Sequence, residues 1–265
     1  MINNTIDLQN RNVLVTGGGQ GIGAEICRSM AACGANLLIN YHVRGEQAEA
    51  LATELKKDFG VKALAFQADV SRQEQIEKMF VYADEKLGPL DVLVNNAGTE
   101  SADHAIHMDL AEWDRIFDVN LRGAFICAQE AGRRMVVRNS GVIINISSIH
   151  DKVARKGLIH YCCSKAGMNM MTKCLALELG EYNIRVVALS PGAIETDMNR
   201  KEIDDFGREK FNGWIPLAKI GQTGDVAWTC AFLASDKGAY ITGTEIYIDG
   251  AYKESTVPYD SRPNK

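Results

Sequence analysis

The chain has 265 residues, 46% of them hydrophobic and 24% charged, with 5 prolines and a formal net charge of −5. That length lets one α/β domain bury a single large core, and the balance excludes a chain that is disordered throughout. The acidic sum without a basic block excludes a nucleic-acid partner, no apolar run is long enough to span a bilayer, and the polar start from Met1 to Arg11 lacks an export-signal pattern, so a cytoplasmic chain without a membrane partner is expected.

Seven short apolar runs recur along the chain. Val13 to Val15 opens onto a glycine-rich turn and a helical segment from Ala24 to Cys33. Leu37 to Ile39 precedes helical spacing over Gln47 to Phe59, Ala63 to Phe66 precedes Gln73 to Leu87, and Val92 to Val94 precedes Trp113 to Val137. Val142 to Ile146 is followed by a helical segment from Ala166 to Gly180, and Val186 to Leu189 and Ile246 to Ile248 complete the set. Because the runs do not alternate with polar residues, they read as parallel strands covered on both faces. Gly34, Gly60 and Gly88 each follow a helical stretch, where a left-handed cap suits glycine. The alternation predicts a single-domain α/β fold over 1–265, a Rossmann-like doubly wound parallel sheet of seven strands flanked by helices. No linker divides the chain, and Tyr252 to Lys265 is a polar tail with two prolines.

The 7 cysteines are odd in number and lack metal-ligand spacing. Cys27, Cys33, Cys127 and Cys174 read as small buried hydrophobes, and the vicinal pair Cys162 and Cys163 is expected to stay reduced. No metal site is expected.

Directly after the first strand comes Thr16-Gly17-Gly18-Gly19-Gln20-Gly21-Ile22-Gly23. Glycines there let the backbone approach a pyrophosphate, while the helix start supplies amides and a positive dipole end. Asp69-Val70 and Asn95-Asn96-Ala97-Gly98 close the third and fourth strands at the same sheet edge, although each alone could be an ordinary turn. The second strand ends in Asn40-Tyr41-His42-Val43-Arg44, without the carboxylate that selects NAD. Arg44 and His42 could meet a 2′-phosphate or lie in solvent, with Glu46 competing, so the segment tilts toward NADP and leaves use of both cofactors open.

Tyr161 and Lys165, four apart, share one face of a helix. Alone this pair reads as a surface feature. Ser148 at the end of the fifth strand and Asn120 in Asp118-Val119-Asn120-Leu121 complete a set. With TGGGQGIG, NNAG and Pro191-Gly192 in the same order, the chain resembles the short-chain dehydrogenase/reductase family over nearly its whole length.

The resemblance implies a hydride transfer between nicotinamide and a carbon bearing hydroxyl or carbonyl. In it Tyr161 is the general acid/base, Ser148 orients the substrate oxygen, Lys165 holds the nicotinamide ribose and lowers the Tyr161 pKa, and Asn120 positions a relay water. A phenol ordinarily titrates near ~10, so such lowering would bring it toward working pH. By the same resemblance Asp69 meets the adenine, Asn96 and Gly98 wall the adenosine, and Ile194 and Thr196 contact the nicotinamide amide and phosphate.

Residues 195–214 stand where the family carries a substrate lid, mixing Met198, Phe206, Phe211 and Trp214 with Arg200, Lys201, Glu202, Asp204 and Asp205; an amphipathic helix pair is the alternative. NNAGTE (95–100) and SSIHDK (147–152) resemble a group of sugar dehydrogenases that includes bacterial glucose 1-dehydrogenases. Glu100 and His150 could then hydrogen-bond sugar hydroxyls, or be a loop residue and a packed histidine. His42, where that group tends to have arginine, departs from the pattern. Reduction of 3-oxoacyl thioesters or other ketones is the alternative within the family, and a cofactor-recycling epimerase or a non-catalytic cofactor-binding scaffold the alternative outside it. A homotetramer is implied by the resemblance alone.

Overall fold

The computed structural model describes residues 6–197 and 200–255, except the side chains of 201 and 202. In chain order its strands and α-helices are β1 (Asn12–Val15), α1 (Gly21–Ala32), β2 (Asn36–Tyr41), α2 (Gly45–Phe59), β3 (Ala63–Gln67), α3 (Gln73–Lys86), β4 (Val92–Asn95), α4 (Leu110–Phe117), α5 (Ala124–Val136), β5 (Gly141–Ile146), α6 (Ile159–Leu179), β6 (Ile184–Pro191), α7 (Arg200–Phe206), α8 (Arg208–Gly213), α9 (Thr223–Ala234) and β7 (Glu245–Ile248).

All seven strands are parallel in one sheet of order β3-β2-β1-β4-β5-β6-β7. Successive side chains on a strand point to opposite faces, which explains the unbroken apolar runs. Val13, Val15, Leu37 and Ile39 enter a core shared with α1, α2 and α9. Leu14 and Leu38 enter a second core with α3 and α5. The chain winds outward from β1 to β3 and returns to β4 beside β1. Loops leaving β1 and β4 therefore diverge, and the crevice beyond their carboxyl ends is where a sheet of this kind accepts a ligand.

Gly34, Gly60 and Gly88 lie at φ +92°, +69° and +98°, as expected of left-handed helix ends. The predicted helix from Trp113 to Val137 is instead interrupted. Asp118–Gly123 forms a π-turn between α4 and α5, because the helix must accommodate the loop after β3: a Cβ on Gly123 would overlap the Val70 carbonyl oxygen. Such single-turn bulges occur mostly at functional sites, and this one contains Asn120. The helix predicted from Ala166 begins at Ile159, so both Tyr161 and Lys165 sit inside it.

The reading of the cysteines is corrected in part. Cys27, Cys127 and Cys230 are buried, but Cys33 and Cys162 are half-buried, Cys163 and Cys174 are exposed, and no disulfide joins any of them. Cys174 follows an apolar stretch on α6 yet falls on the helix's outward face. Among the described residues no helix is long and apolar enough to cross a membrane, and no cluster of three metal-ligating side chains occurs. Met198 and the tail beyond Ser255 lie outside the described residues.

Candidate functional site

The glycine turn after β1 is shaped by positions that tolerate no side chain. Gly17 and Gly21 adopt φ +61° and +53°, where a Cβ is strained. A Cβ on Gly23 would overlap the Gly17 carbonyl oxygen and the Asn96 side-chain nitrogen, so glycine alone lets α1 start beneath the turn. Gln20 precedes α1 in extended backbone and gives no side-chain cap. The first-turn N–H groups and the positive end of the helix are thus available to an anion.

Three side chains fasten this turn. Thr16 Oγ1 accepts the N–H groups of Asn96 and Ala97, each at 3.0 Å. Asn96 Nδ2 donates to the carbonyls of Thr16 and Gly17 at 2.9 and 3.0 Å. Asn40 Oδ1 accepts the Gly17 N–H at 3.2 Å, while its Nδ2 donates to the Ala68 carbonyl at 3.0 Å. Sequence reasoning assigns no role to Thr16 or Asn40, since a polar residue closing an apolar run carries no signal beyond strand termination.

The loops open into a cavity of about 770 Å³. Gly17, Gln20, Gly21, Ile22, Gly23 and Arg44 line the glycine-turn end; Asn96, Ala97, Gly98, Pro191, Gly192, Ile194 and Thr196 line the cavity farther along. Ser148, Tyr161 and Lys165 are part of the same wall, as are Glu100, His150 and Trp214. The uncapped helix start and a floor that any Cβ would fill suit the pyrophosphate of a dinucleotide.

Five sequence-assigned residues stand off the cavity. Tyr41 packs its ring over Gly45 and the core. His42 Nε2 lies 3.8 Å from Asp69 Oδ2, and Asp69 Oδ1 accepts the Ser71 N–H at 2.9 Å, so both are engaged at the rim. Val70 is buried against the π-turn. The Asn120 side chain is also committed: Oδ1 accepts the Thr99 N–H at 2.8 Å, and Nδ2 donates to the Thr99 carbonyl at 2.8 Å and to Ser164 Oγ at 3.2 Å. It braces the loop after β4 against α6. Conversely, Val153, Ala154, Arg155 and Tyr252 line the cavity without belonging to any recognisable motif.

Ser148 follows β5 and caps a 3₁₀ turn, Ile149–Asp151, its Oγ accepting the His150 N–H at 3.2 Å. Burial raises the Tyr161 phenol above the ordinary tyrosine range; the same Ser148 hydroxyl pulls it down and Glu100 pushes it up. The expected lowering by Lys165 is not found, since Lys165 is not among the groups that shift the phenol. Lys165 Nζ is 5.7 Å from the centre of the Tyr161 ring and donates to the Ile146 carbonyl at 2.9 Å. Burial drives Lys165 itself down to about 8, with Glu100 opposing. A protonated phenol beside a titratable ammonium can deliver a proton to a substrate oxygen and be resupplied.

His150 Nδ1 lies 2.8 Å from the Val153 carbonyl. A carbonyl only accepts, so Nδ1 carries the proton, and Nε2 of the neutral ring is an acceptor. In the 195–214 segment, Trp214 packs against Phe206 and Phe211 with ring centres 5.4 and 5.2 Å apart.

A family model described as enoyl-(acyl carrier protein) reductase matches residues 17–253. The chain is 41% identical over 240 residues to 3-oxoacyl-[acyl-carrier-protein] reductase FabG of Staphylococcus aureus, covering 91% of this chain and 97% of that protein. It is 37% identical over 246 residues to glucose 1-dehydrogenase 2 of Bacillus subtilis, covering 92% and 95%. Among solved structures it resembles a gluconate 5-dehydrogenase from Burkholderia cenocepacia in complex with NADP and tartrate, with TM-score 0.88, 31% identity and coverage of 94% and 97%.

Proposed function

The chain belongs to the short-chain dehydrogenase/reductase family and is an NAD(P)-dependent oxidoreductase of hydroxyl and carbonyl groups, and on that premise we propose that it oxidises or reduces a carbon of a sugar or polyol. The observation that carries this reading is the polar character of the wall near Tyr161. The Glu100 carboxylate acts electrostatically on both Tyr161 and Lys165, and His150 adds a second acceptor. Such acceptors suit neighbouring hydroxyls.

Bound nicotinamide supplies or takes up the hydride. The chain's residues do the rest. Ser148 and Tyr161 hold the substrate oxygen between two hydroxyls, and Tyr161 gives or receives its proton. Lys165, on the same face of α6 one turn on, would hold the nicotinamide ribose. The aromatic lid formed by Phe206, Phe211 and Trp214 excludes water from the reacting end. Arg44 at the glycine-turn end supports NADP over NAD, because a guanidinium there pairs with a 2′-phosphate.

A second reading rests on that aromatic lid, which also offers an apolar wall to an acyl chain; reduction of a 3-oxoacyl thioester would use it. Assaying D-glucose, other sugars, polyols, simple ketones and an acetoacetyl thioester separately with NAD and NADP, by absorbance of the reduced cofactor, decides between them. Sugars or polyols with NADP are expected to give the highest kcat/KM. Preference for the thioester would overturn the first reading in favour of the second.

We extend the proposal to a cytoplasmic homotetramer. Seven free cysteines fit a reducing compartment. Phe125 on α5, Val137 just beyond it, and Met170 and Leu177 on α6 are apolar and 42%, 84%, 59% and 85% exposed, a surface that a neighbouring subunit would cover. Sedimentation at working concentration is expected to give four chains; a monomer would remove the assembly.

A further inference from the structure

Beyond the active site, α6 carries a third polar residue on the face of Tyr161 and Lys165. Asn169, four residues past Lys165, is 3% exposed, and its Nδ2 lies 2.6 Å from Asp151 Oδ2 and 2.5 Å from Glu245 Oε1. Asp151 ends the 3₁₀ turn capped by Ser148, and Glu245 opens β7. Ser190 Oγ on β6 donates to Glu245 Oε1 at 2.5 Å. Tyr247 on β7 donates to Asp151, its oxygen 3.2 Å from Oδ2 and 3.3 Å from Oδ1. A single cluster thus joins the Ser148 turn, α6, β6 and β7.

The two carboxyl groups converge on one nitrogen, Asn169 Nδ2. Two acids gathered at one amide nitrogen cannot both ionise at little cost. The nearby charges do not compensate. Lys152 Nζ, 3.6 Å from Asp151 Oδ2, is on a side chain 56% exposed while that of Asp151 is fully buried. Lys253 sits over the Tyr247 ring at 4.3 Å and feels Glu245, but its ion pair is with Glu254 and its charge is shared with Asp249 as well. Lys165 is committed to the Ile146 carbonyl.

We propose that Asp151 and Glu245 hold one proton between them, and that with Asn169 they are positioning residues that keep the Ser148 turn seated on α6 opposite Tyr161. The linkage is short. Ser148 Oγ holds the His150 N–H, the Asp151 N–H donates to the Ser148 carbonyl at 3.1 Å, and Asp151 is then tied to α6 through Asn169. Losing the shared proton places two anions against each other and pushes Asp151, and the turn with it, away from β7.

The sign follows from the direction of the Asp151 shift, which is upward, with burial its largest cause. The folded protein keeps a proton that the unfolded chain has released, so stability falls as pH rises from the ordinary carboxylate range through the raised value. Glu245→Gln keeps the shape and a hydrogen-bonding amide but removes the second acid; Asp151→Asn does so from the other side.

The test compares the full-length wild type with both variants by pH-difference infrared spectroscopy and by thermal midpoint across pH. In the wild type a protonated-carboxyl band should persist above the ordinary carboxylate range and vanish in each variant. The wild-type midpoint should fall relative to Glu245→Gln by about 3 °C or more across that window. Positioning has its own readout. On whichever substrate is turned over fastest, the ratio of wild-type to Glu245→Gln kcat should drop about tenfold as pH rises through the window, and the ratio cancels titration of Tyr161 and Lys165. Absence of a carboxyl band sensitive to both substitutions, or equal pH slopes of the midpoints, would overturn the shared proton. A kcat ratio independent of pH would overturn the positioning role, whichever substrate the enzyme takes.

Discussion

Tyr161→Phe is expected to lower kcat by about a thousandfold while the cofactor dissociation constant changes less than about twofold. The substitution removes one oxygen and little else. The ring stays, with its edge toward His150 at 6.3 Å between centres and Lys165 Nζ over its face at 5.7 Å. Ser148 Oγ retains the His150 N–H, so its turn is not released. What disappears is the one group that both touches Ser148 and carries a proton at neutral pH, since burial holds the phenol above its ordinary range. The cofactor end is built from backbone amides of the glycine turn and is untouched. Steady-state turnover and fluorescence titration with reduced cofactor check the two halves separately. Unchanged turnover would remove Tyr161 from proton transfer; lost affinity would make its role one of binding.

The sheet was legible because its five inner strands are buried on both faces and so appear as short apolar runs closed by turn residues. The Tyr161–Lys165 interval was legible for a similar reason, since a spacing of four survives translation into a helix. The side-chain bonds that commit Asn120 to Thr99 and Ser164 were not legible. The π-turn around it does not alter local periodicity, and its cause is the Val70 carbonyl pressing on Gly123, a contact across 53 positions of sequence. The rim was misjudged for a related reason: Tyr41, His42 and Asp69 follow strands that end at the correct edge, but which way a side chain turns there is decided by partners such as Gly45 and Ser71. Asp151, Asn169 and Glu245 each read alone as a surface polar residue. Only the pairing of β6 with β7 and the packing of α6 against the Ser148 turn bring them together.

Lys165→Met is expected to cost activity and alter the pH dependence of stability in a way that isolates the ammonium. Lys165 is 4% exposed, and burial brings it to about 8 from an ordinary 10.5. Between those values the unfolded chain binds a proton that the folded protein does not, so unfolding becomes less favourable as pH rises through the window. Wild-type stability should therefore increase from pH 8 toward 10.5, by about 3 kcal/mol if the whole difference is realised. A methionine has no proton to lose, and its stability should lack that rise. At pH 7 two effects oppose in the variant: the cost of a buried charge is gone, but the Ile146 carbonyl loses its donor at 2.9 Å, worth about 1–3 kcal/mol. A small net change in thermal midpoint at neutrality, with divergent slopes above pH 8, is the signature. Catalysis has no such compensation. Because Nζ is, among the described residues, the one ammonium lining the cavity beside Tyr161, both kcat and cofactor affinity should fall, each by about tenfold or more. Retention of both, with parallel stability curves, would mean that the ammonium neither titrates near 8 nor meets the cofactor.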